Sequence, residues 1–136
     1  MLPNHFHFII QQNIDGEISR FMQKLGMGYT NYFNNKHRRS GYLFQSKFKA
    51  IYIKDYSYLL KLLVYVNCNY EIHGLGKKEN WIWSSFLDCV GKRNGTLCNL
   101  EFIEEEFKDI TEFKFFCTDI IPDIKLNKEI EQYLLE

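Results

Sequence analysis

The stretch "DYSYLLKLLVYVNCN" (residues 55–69) carries apolar side chains at helical spacing. The spacing of three to four residues places them on one face of a helix, and they are Leu59, Leu62, Leu63 and Val66. Asp55 stands directly before this pattern, where an aspartate side chain can accept hydrogen bonds from the first backbone N–H groups of a helix. The sequence therefore predicts a helix that begins after Asp55 and ends near Asn69.

Tyr65 and Asn69 lie four residues apart on this predicted helix, so both side chains project from the same face. A tyrosine hydroxyl can attack a phosphate, and an amide oxygen one turn away can bind a hard divalent cation. Lys61, one turn before Tyr65, lies on the same stripe and can contact a phosphate. The pattern also fits an ordinary amphipathic helix, in which the Tyr65 ring packs and its hydroxyl is hydrated.

The stretch "PNHFHFII" (residues 3–10) places two histidines one residue apart in an aromatic, apolar run. Such a run favours a buried strand, on which His5 and His7 would share one face about 7 Å apart. Phe6 and Phe8 would then face the opposite side, toward a core. Two imidazoles on one face can hold a metal ion if another element supplies a third ligand, although His-x-His also occurs by chance on half-exposed strands.

The segment from residue 36 to residue 54 is basic and aromatic. Its basic residues, with no acidic residue among them, are Lys36, Arg38, Arg39, Lys47, Lys49 and Lys54. The rings that interleave with them are Tyr42, Phe44, Phe48 and Tyr52. Cations that contact phosphates, beside rings on which bases stack, are typical of single-stranded nucleic acid binding. The alternative is a solvated basic loop followed by an ordinary strand.

Composition and charge indicate one globular domain with a polyanionic partner. The 136 residues are 46% hydrophobic, and no stretch is long and apolar enough to predict a membrane span. Residues 1–100 carry 13 Lys and Arg against 6 Asp and Glu, a net charge of +7, whereas residues 101–136 carry 4 against 11, a net charge of −7. The acidic tail is either a solvated surface helix or a screen over the basic body. The scattered cysteines predict free thiols and a cytoplasmic location.

Periodicity and composition predict the remaining elements. Helical spacing predicts helices over residues 17–33 and 101–108, and the last ten residues are predicted to form another. Residues 42–53 are rich in strand formers. The glycine-containing stretch "HGLGKKEN" (residues 73–80) is expected to end the helix that begins after Asp55.

The order and spacing of these motifs resemble the REP-associated tyrosine transposases, which belong to the HUH single-tyrosine transposase superfamily of small insertion sequences. The motifs that carry the resemblance, within residues 2–90, are "PNHFHFII", "RSGYLFQSKFKAIYI", "LLKLLVYVNCNYEIHGLG" and "WIWSSF". In that order they look like the family's histidine–hydrophobic–histidine strand, its Gly-x-Leu-aromatic-Gln-x-basic-aromatic-Lys segment, its tyrosine-bearing helix and its Trp-Ser-Ser-aromatic signature. Four motifs in the family's order are far more specific than any one of them.

The resemblance implies an α+β fold, in which helices pack on the face of an antiparallel sheet, as in the HUH or ferredoxin-like transposases. Residues 1–100 would form the transposase domain, and residues 101–136 an acidic helical extension. Family members normally carry a strand, a helix and a second strand before the histidine strand, and this chain shows none of them. Met1 therefore looks like an internal position of a longer ancestor. The histidine strand would then lie at an open edge, which a second copy in a homodimer could cover.

The resemblance also implies a reaction. His5, His7 and Asn69 would hold Mg²⁺ or Mn²⁺ beside Tyr65, which would cleave and rejoin single-stranded or hairpin DNA through a 5′-phosphotyrosine. The predicted DNA contacts are Lys36, Arg38, Arg39, Lys47, Lys49 and Lys61, with Phe44 stacking on a base or lying in the core. His73 is interpreted as a surface or DNA-side residue without the spacing of a ligand.

One residue departs from the family pattern at the centre of the predicted site. Tyr70 stands where the family usually has a proline, so we expect it to extend or reshape the end of the helix and to shift Asn69. The alternative to a transposase is a truncated, catalytically inactive remnant that still binds DNA through its basic, aromatic segment.

Overall fold

A computed structural model describes residues 1–126 of the chain, and its regular structure is helical. The helices are α1 (Glu17–His37), α2 (Tyr56–Ile72), α3 (Phe86–Cys89), α4 (Glu101–Glu106) and α5 (Ile110–Leu126), with a short 3-10 helix at Lys78–Asn80. The helix predicted for the last ten residues lies outside the described residues.

Residues 1–126 contain no β-strand, so the predicted α+β fold with an antiparallel sheet is wrong. The two segments predicted as strands, residues 5–10 and 42–53, have no regular secondary structure. Aromatic and β-branched residues favour an extended backbone, but a strand also needs a second segment with which to exchange backbone hydrogen bonds. Neither segment forms such a ladder within the described part of the chain.

Helix α2 confirms the sequence prediction and lies at the centre of the core. The Asp55 carboxylate accepts a hydrogen bond from the Tyr58 backbone N–H at 2.7 Å, as a helix N-cap does. The helix continues for three residues beyond Asn69 and ends at Ile72, followed by Gly74 with φ of 70°. Tyr70 therefore extends the helix, as expected for a residue that replaces a proline.

Helix α5 packs against α2, and the sequence predicted it only as part of a helical extension over residues 101–136, without its bounds. Its buried side chains, spaced so that they form one stripe, are Phe113, Cys117, Ile121 and Ile124. They share a hydrophobic core with Val64 and Cys68 of α2 and with Phe86 of α3. Helix α4 adds Ile103 to the same core. Residues 101–126 therefore contribute directly to the burial of α2.

The described chain divides into two compact units. One combines Met1–Ile9 with the chain from Tyr52 onward, and the other is Ile10–Ile51. Helix α1 belongs to the second unit, begins at Glu17 as predicted, and ends at His37, four residues later than predicted. It contains 21 residues, none of which is buried. No helix within residues 1–126, α1 included, has both the length and the apolar character that crossing a bilayer requires.

Candidate functional site

The first residues of the chain are anchored on the loop that follows the 3-10 helix. The indole N–H of Trp81 donates a hydrogen bond to the Met1 carbonyl at 2.6 Å, and the Met1 amino group donates one to the Trp83 carbonyl at 3.0 Å. Leu2 is buried, with 6% of its surface exposed. Burial lowers the pKa of the α-amino group, because desolvation disfavours its charged form. These contacts fix the start of the histidine segment.

His5 and His7 follow this anchor and meet Tyr65 of α2. A turn in which the Leu2 N–H donates to the His5 carbonyl at 2.8 Å leads into the pair. The two imidazole rings lie 5.0 Å apart between centroids, at an edge-to-face angle. The His7 ring lies 5.4 Å from the Tyr65 ring. Three of the four side chains that the sequence selected for the reaction, all except Asn69, are therefore brought together here, although without the predicted strand.

His73 completes this cluster, and the sequence interpretation missed it. Its Nε2 lies 3.0 Å from the Tyr65 hydroxyl oxygen, within hydrogen-bond distance, and its ring lies 6.4 Å from the His5 ring. Tyr65 is only 2% exposed, whereas His73 is exposed. The interpretation of His73 as a surface residue was correct, but its place beside Tyr65 was not foreseen. Spacings of four residues from Tyr65 to Asn69 and from Asn69 to His73 were the available signal.

Asn69 lies on α2 between Tyr65 and His73, one helical turn from each. The residue is fully buried, and neither side-chain atom of its amide has a hydrogen-bond partner within residues 1–126. A buried polar group without a partner costs about 1–3 kcal/mol, so such groups are rare and often have a functional reason. The Asn69 amide oxygen, on the stripe that carries Tyr65, therefore accepts no hydrogen bond from any residue within 1–126.

Asn67 fixes α2 to the loop that carries Trp83. The Ser84 hydroxyl donates to the Asn67 backbone carbonyl at 2.7 Å, and the Ser85 hydroxyl donates to the Asn67 side-chain oxygen at the same distance. The Asn67 amide in turn donates to the Leu63 carbonyl at 2.9 Å. Ser84 and Ser85 thus link this loop to α2 through hydrogen bonds.

A buried carboxylate holds the far end of the same loop. Asp88 is 5% exposed and accepts hydrogen bonds from the Arg93 guanidinium and, at 3.0 Å, from the Gly95 backbone N–H. The hydrogen bond from Arg93 holds the pKa of Asp88 below its usual value of 3.8. Arg93 also donates to the backbone carbonyls of Ile82 and Ser84, at 2.6 and 2.7 Å. One ion pair therefore organises residues 82–95.

The end of α2 is held by a second ion pair. The Lys78 ammonium lies 3.2 Å from a Glu71 carboxylate oxygen and 3.4 Å from a Glu79 oxygen. Burial alone lowers the pKa of Lys78, but its hydrogen bond and charge interaction with Glu71 outweigh burial, so the pKa is raised. The Lys78 backbone N–H also donates to Glu71, at 3.1 Å. This link connects the 3-10 helix to the last turn of α2, next to His73.

The predicted DNA contacts lie in both units. The six in the second unit, all of them exposed, are Lys36, Arg38, Arg39, Phe44, Lys47 and Lys49. The Arg39 guanidinium lies 5.7 Å from the Phe33 ring and donates to the Tyr42 carbonyl at 3.0 Å. The Phe44 ring lies 6.2 Å from that of Tyr29, at the surface of this unit. The remaining contact, Lys61, is exposed on α2 in the first unit.

Comparisons with models of known protein families, with curated proteins and with solved structures gave no match. Within residues 1–126 no group of three histidine, cysteine, aspartate or glutamate side chains is arranged to hold a metal ion. The ligand set expected from the sequence consists of two histidines and the amide of Asn69, so it is not a group of that kind. The features that point to a function are therefore the cluster around Tyr65 and the order of the sequence motifs.

Proposed function

We propose that this chain cleaves and rejoins single-stranded or hairpin DNA through a covalent link to Tyr65, as a transposase acting in DNA transposition and recombination. One observation carries the proposal: His5, His7 and Tyr65, which are far apart in the sequence, lie side by side, with Asn69 one turn from Tyr65. This convergence does not depend on a sheet, because the anchored N-terminal segment and α2 assemble it by themselves. The motif order independently suggests the same chemistry.

The reaction is an exchange of phosphoester bonds. The Tyr65 hydroxyl oxygen loses its proton and attacks a backbone phosphorus, the bond from phosphorus to the 3′ oxygen breaks, and that oxygen leaves with a proton as a free 3′-hydroxyl. The product is a 5′-phosphotyrosine, which conserves one phosphoester bond. A 3′-hydroxyl can attack it in reverse, so the chain can join DNA ends without any external energy source.

The residues at the site fit the divalent cation that the resemblance implies. The two imidazole rings lie 5.0 Å apart between centroids, and the buried Asn69 amide has an oxygen with no hydrogen-bond partner within residues 1–126. Mg²⁺ or Mn²⁺ bound by His5, His7 and Asn69 would supply Lewis-acid polarisation of the scissile phosphate. Asn69 would serve in this set as a neutral ligand, so the bound cation would keep its full positive charge toward DNA.

In the unit Ile10–Ile51 the exposed basic residues would contact the DNA backbone, and Phe44 would stack on an unpaired base. In the other unit, Lys61 would contact a phosphate. A homodimer and a cytoplasmic location remain predictions. A catalytically inactive DNA-binding remnant is the second candidate. The observation in its favour is the low exposure of Tyr65, at 2%, because a buried hydroxyl is poorly accessible to DNA.

A covalent-adduct assay tests the proposal. Labelled hairpin oligonucleotides taken from the DNA that flanks the gene are incubated with the protein and Mn²⁺, and the products are separated on a denaturing gel. We expect a protein–DNA adduct that Tyr65→Phe abolishes and that Tyr70→Phe retains, since Tyr70 lies on the same helix and a phenylalanine keeps its ring stacking. A native gel run alongside measures binding. Binding without an adduct would favour the inactive remnant.

A further inference from the structure

We infer that His73 is a positioning residue for the nucleophile: its Nε2 accepts the hydrogen bond of the Tyr65 hydroxyl and sets the direction of the attacking oxygen. The inference rests on the proposed function, and it assigns to this site a residue that the ligand set does not contain. The distance of 3.0 Å between the two atoms carries it.

The geometry limits what the hydroxyl can do. A tyrosine hydroxyl has one hydrogen and two lone pairs, and its hydrogen rotates about the bond to the ring unless an acceptor fixes it. With the hydrogen directed at Nε2 of His73, the oxygen lone pairs point away from His73, so the direction in which they can attack a phosphorus is fixed. Reacting atoms need a defined approach, and misplacement of about 1 Å can reduce a rate by about 100-fold.

His73 itself is held in place by its backbone. It caps α2, and its N–H donates to the Asn69 carbonyl at 2.9 Å. The ion pair between Lys78 and Glu71 fixes the turn that follows. The imidazole ring is nevertheless exposed, so its replacement removes little packing. The His73 ring is exposed, its backbone is fixed, and its Nε2 lies within hydrogen-bond distance of the buried Tyr65 hydroxyl. These features fit a residue that positions the hydroxyl better than a residue of the core.

The kinetic test uses His73→Ala, His73→Leu and His73→Gln in the full chain. We expect the first two to reduce the rate constant of adduct formation at saturating hairpin DNA by about 10- to 100-fold, with unchanged DNA affinity. Glutamine can place an amide group near the position of Nε2, so His73→Gln should recover most of the rate. Equal rates in wild type and His73→Ala would overturn the inference. An equal loss in His73→Gln and His73→Leu would also overturn it.

A second readout needs neither metal nor DNA. Long-range ¹H–¹⁵N spectra of the metal-free protein report whether each imidazole nitrogen carries a proton, and the disappearance of one spin system in His73→Gln assigns His73. We expect Nε2 of His73 to be the unprotonated nitrogen and its resonance to shift in Tyr65→Phe. A protonated Nε2, or no change in Tyr65→Phe, would refute the inference. An absent adduct in wild type with this signature present would refute the proposed function instead.

Discussion

The indole ring of Trp81 stacks on the phenol ring of Tyr70, with ring centroids 4.2 Å apart and planes within 3° of parallel. Tyr70 stands where the resemblance led us to expect a proline, and its ring is the one on which Trp81 packs. The same indole donates its N–H to the Met1 carbonyl. A single ring thus connects the last turns of α2 to the segment that carries His5 and His7.

The first prediction concerns this connection. Trp81→Phe keeps an aromatic ring against Tyr70 but removes the N–H donor, so we expect a loss of about 1 kcal/mol in the free energy of unfolding and altered ring resonances for His5 and His7. Urea denaturation and NMR spectra measure the two effects. Trp83→Phe is the matched control, because that side chain is 60% exposed and only its backbone carbonyl contacts Met1. Equal effects in both variants would contradict the anchoring role.

The second prediction concerns acid sensitivity. The pKa of Asp88 lies below 3.8 in the folded chain, so its ion pair stabilises the fold fully above that pH and is lost as the pH falls through the lowered pKa. The Arg93 side chain is 39% exposed, so solvent screens the pair. We expect Asp88→Asn to cost about 1–2 kcal/mol at pH 7 and progressively less below pH 3.8.

Urea denaturation at several pH values checks this dependence. Asp119→Asn is the control, since Asp119 is exposed on α5. A difference between wild type and Asp88→Asn that stays constant down to the lowest accessible pH would show that the charge of Asp88 contributes nothing.

The third prediction contrasts two glycines. A Cβ at Gly95 would lie 2.6 Å from a carboxylate oxygen of Asp88, which is buried and held by Arg93. We therefore expect Gly95→Ala to destabilise the chain by about 1–3 kcal/mol. A Cβ at Gly28, within α1, would meet no atom within 4 Å. Gly28→Ala should instead stabilise the helix by about 0.5–1 kcal/mol.

Thermal unfolding followed by circular dichroism compares the two glycine variants. We expect a lower melting temperature for Gly95→Ala and a higher helix content for Gly28→Ala. Similar changes in the melting temperature of both variants would mean that the close contact with Asp88 does not determine the stability of Gly95→Ala.

The fourth prediction separates stability from function at Asn69. Leucine has a similar shape to asparagine and no polar atoms, so Asn69→Leu removes a buried amide that lacks a partner within residues 1–126. We expect the metal-free protein to gain about 1–3 kcal/mol in the free energy of unfolding, while metal-dependent adduct formation is lost. Urea denaturation in the presence of a chelator measures the first effect. A destabilised Asn69→Leu protein would show that the amide is already satisfied in the fold.

Local signals predicted the helices well. The N-cap at Asp55 and the apolar spacing of α2 depend on residues within a few positions of one another, and the same holds for the start of α1 at Glu17. The sequence predicted residues 101–136 as helical but did not give the bounds of α5, because aromatic and β-branched residues dominate residues 110–126. The spacing of Phe113, Cys117 and Ile121 would have indicated it.

The fold class was mispredicted because strand pairing is not a local property. The composition of residues 5–10 and 42–53 favours extension, but nothing in either segment specifies a partner for its backbone. The predicted proximity of the site residues does not depend on the mispredicted sheet. The proximity of His5, His7 and Tyr65 depends on the anchor at Met1 and on the face of α2, and neither requires a sheet. His73 was missed because its role depends on a hydroxyl eight residues earlier.

The buried cysteines of the core can report how often the core unfolds locally. Cys68, Cys89 and Cys117 are buried, and all four cysteines of the chain are free thiols. A hydrogen bond with Cys117 together with burial raises the pKa of Cys68, and burial raises the pKa of Cys89 to about 12. Only a thiolate in contact with solvent reacts with iodoacetamide, so alkylation of Cys68 on α2 and Cys117 on α5 requires these two helices to separate. The alkylation rate of these thiols therefore measures the frequency of local opening between α5 and α2, the helix that carries Tyr65.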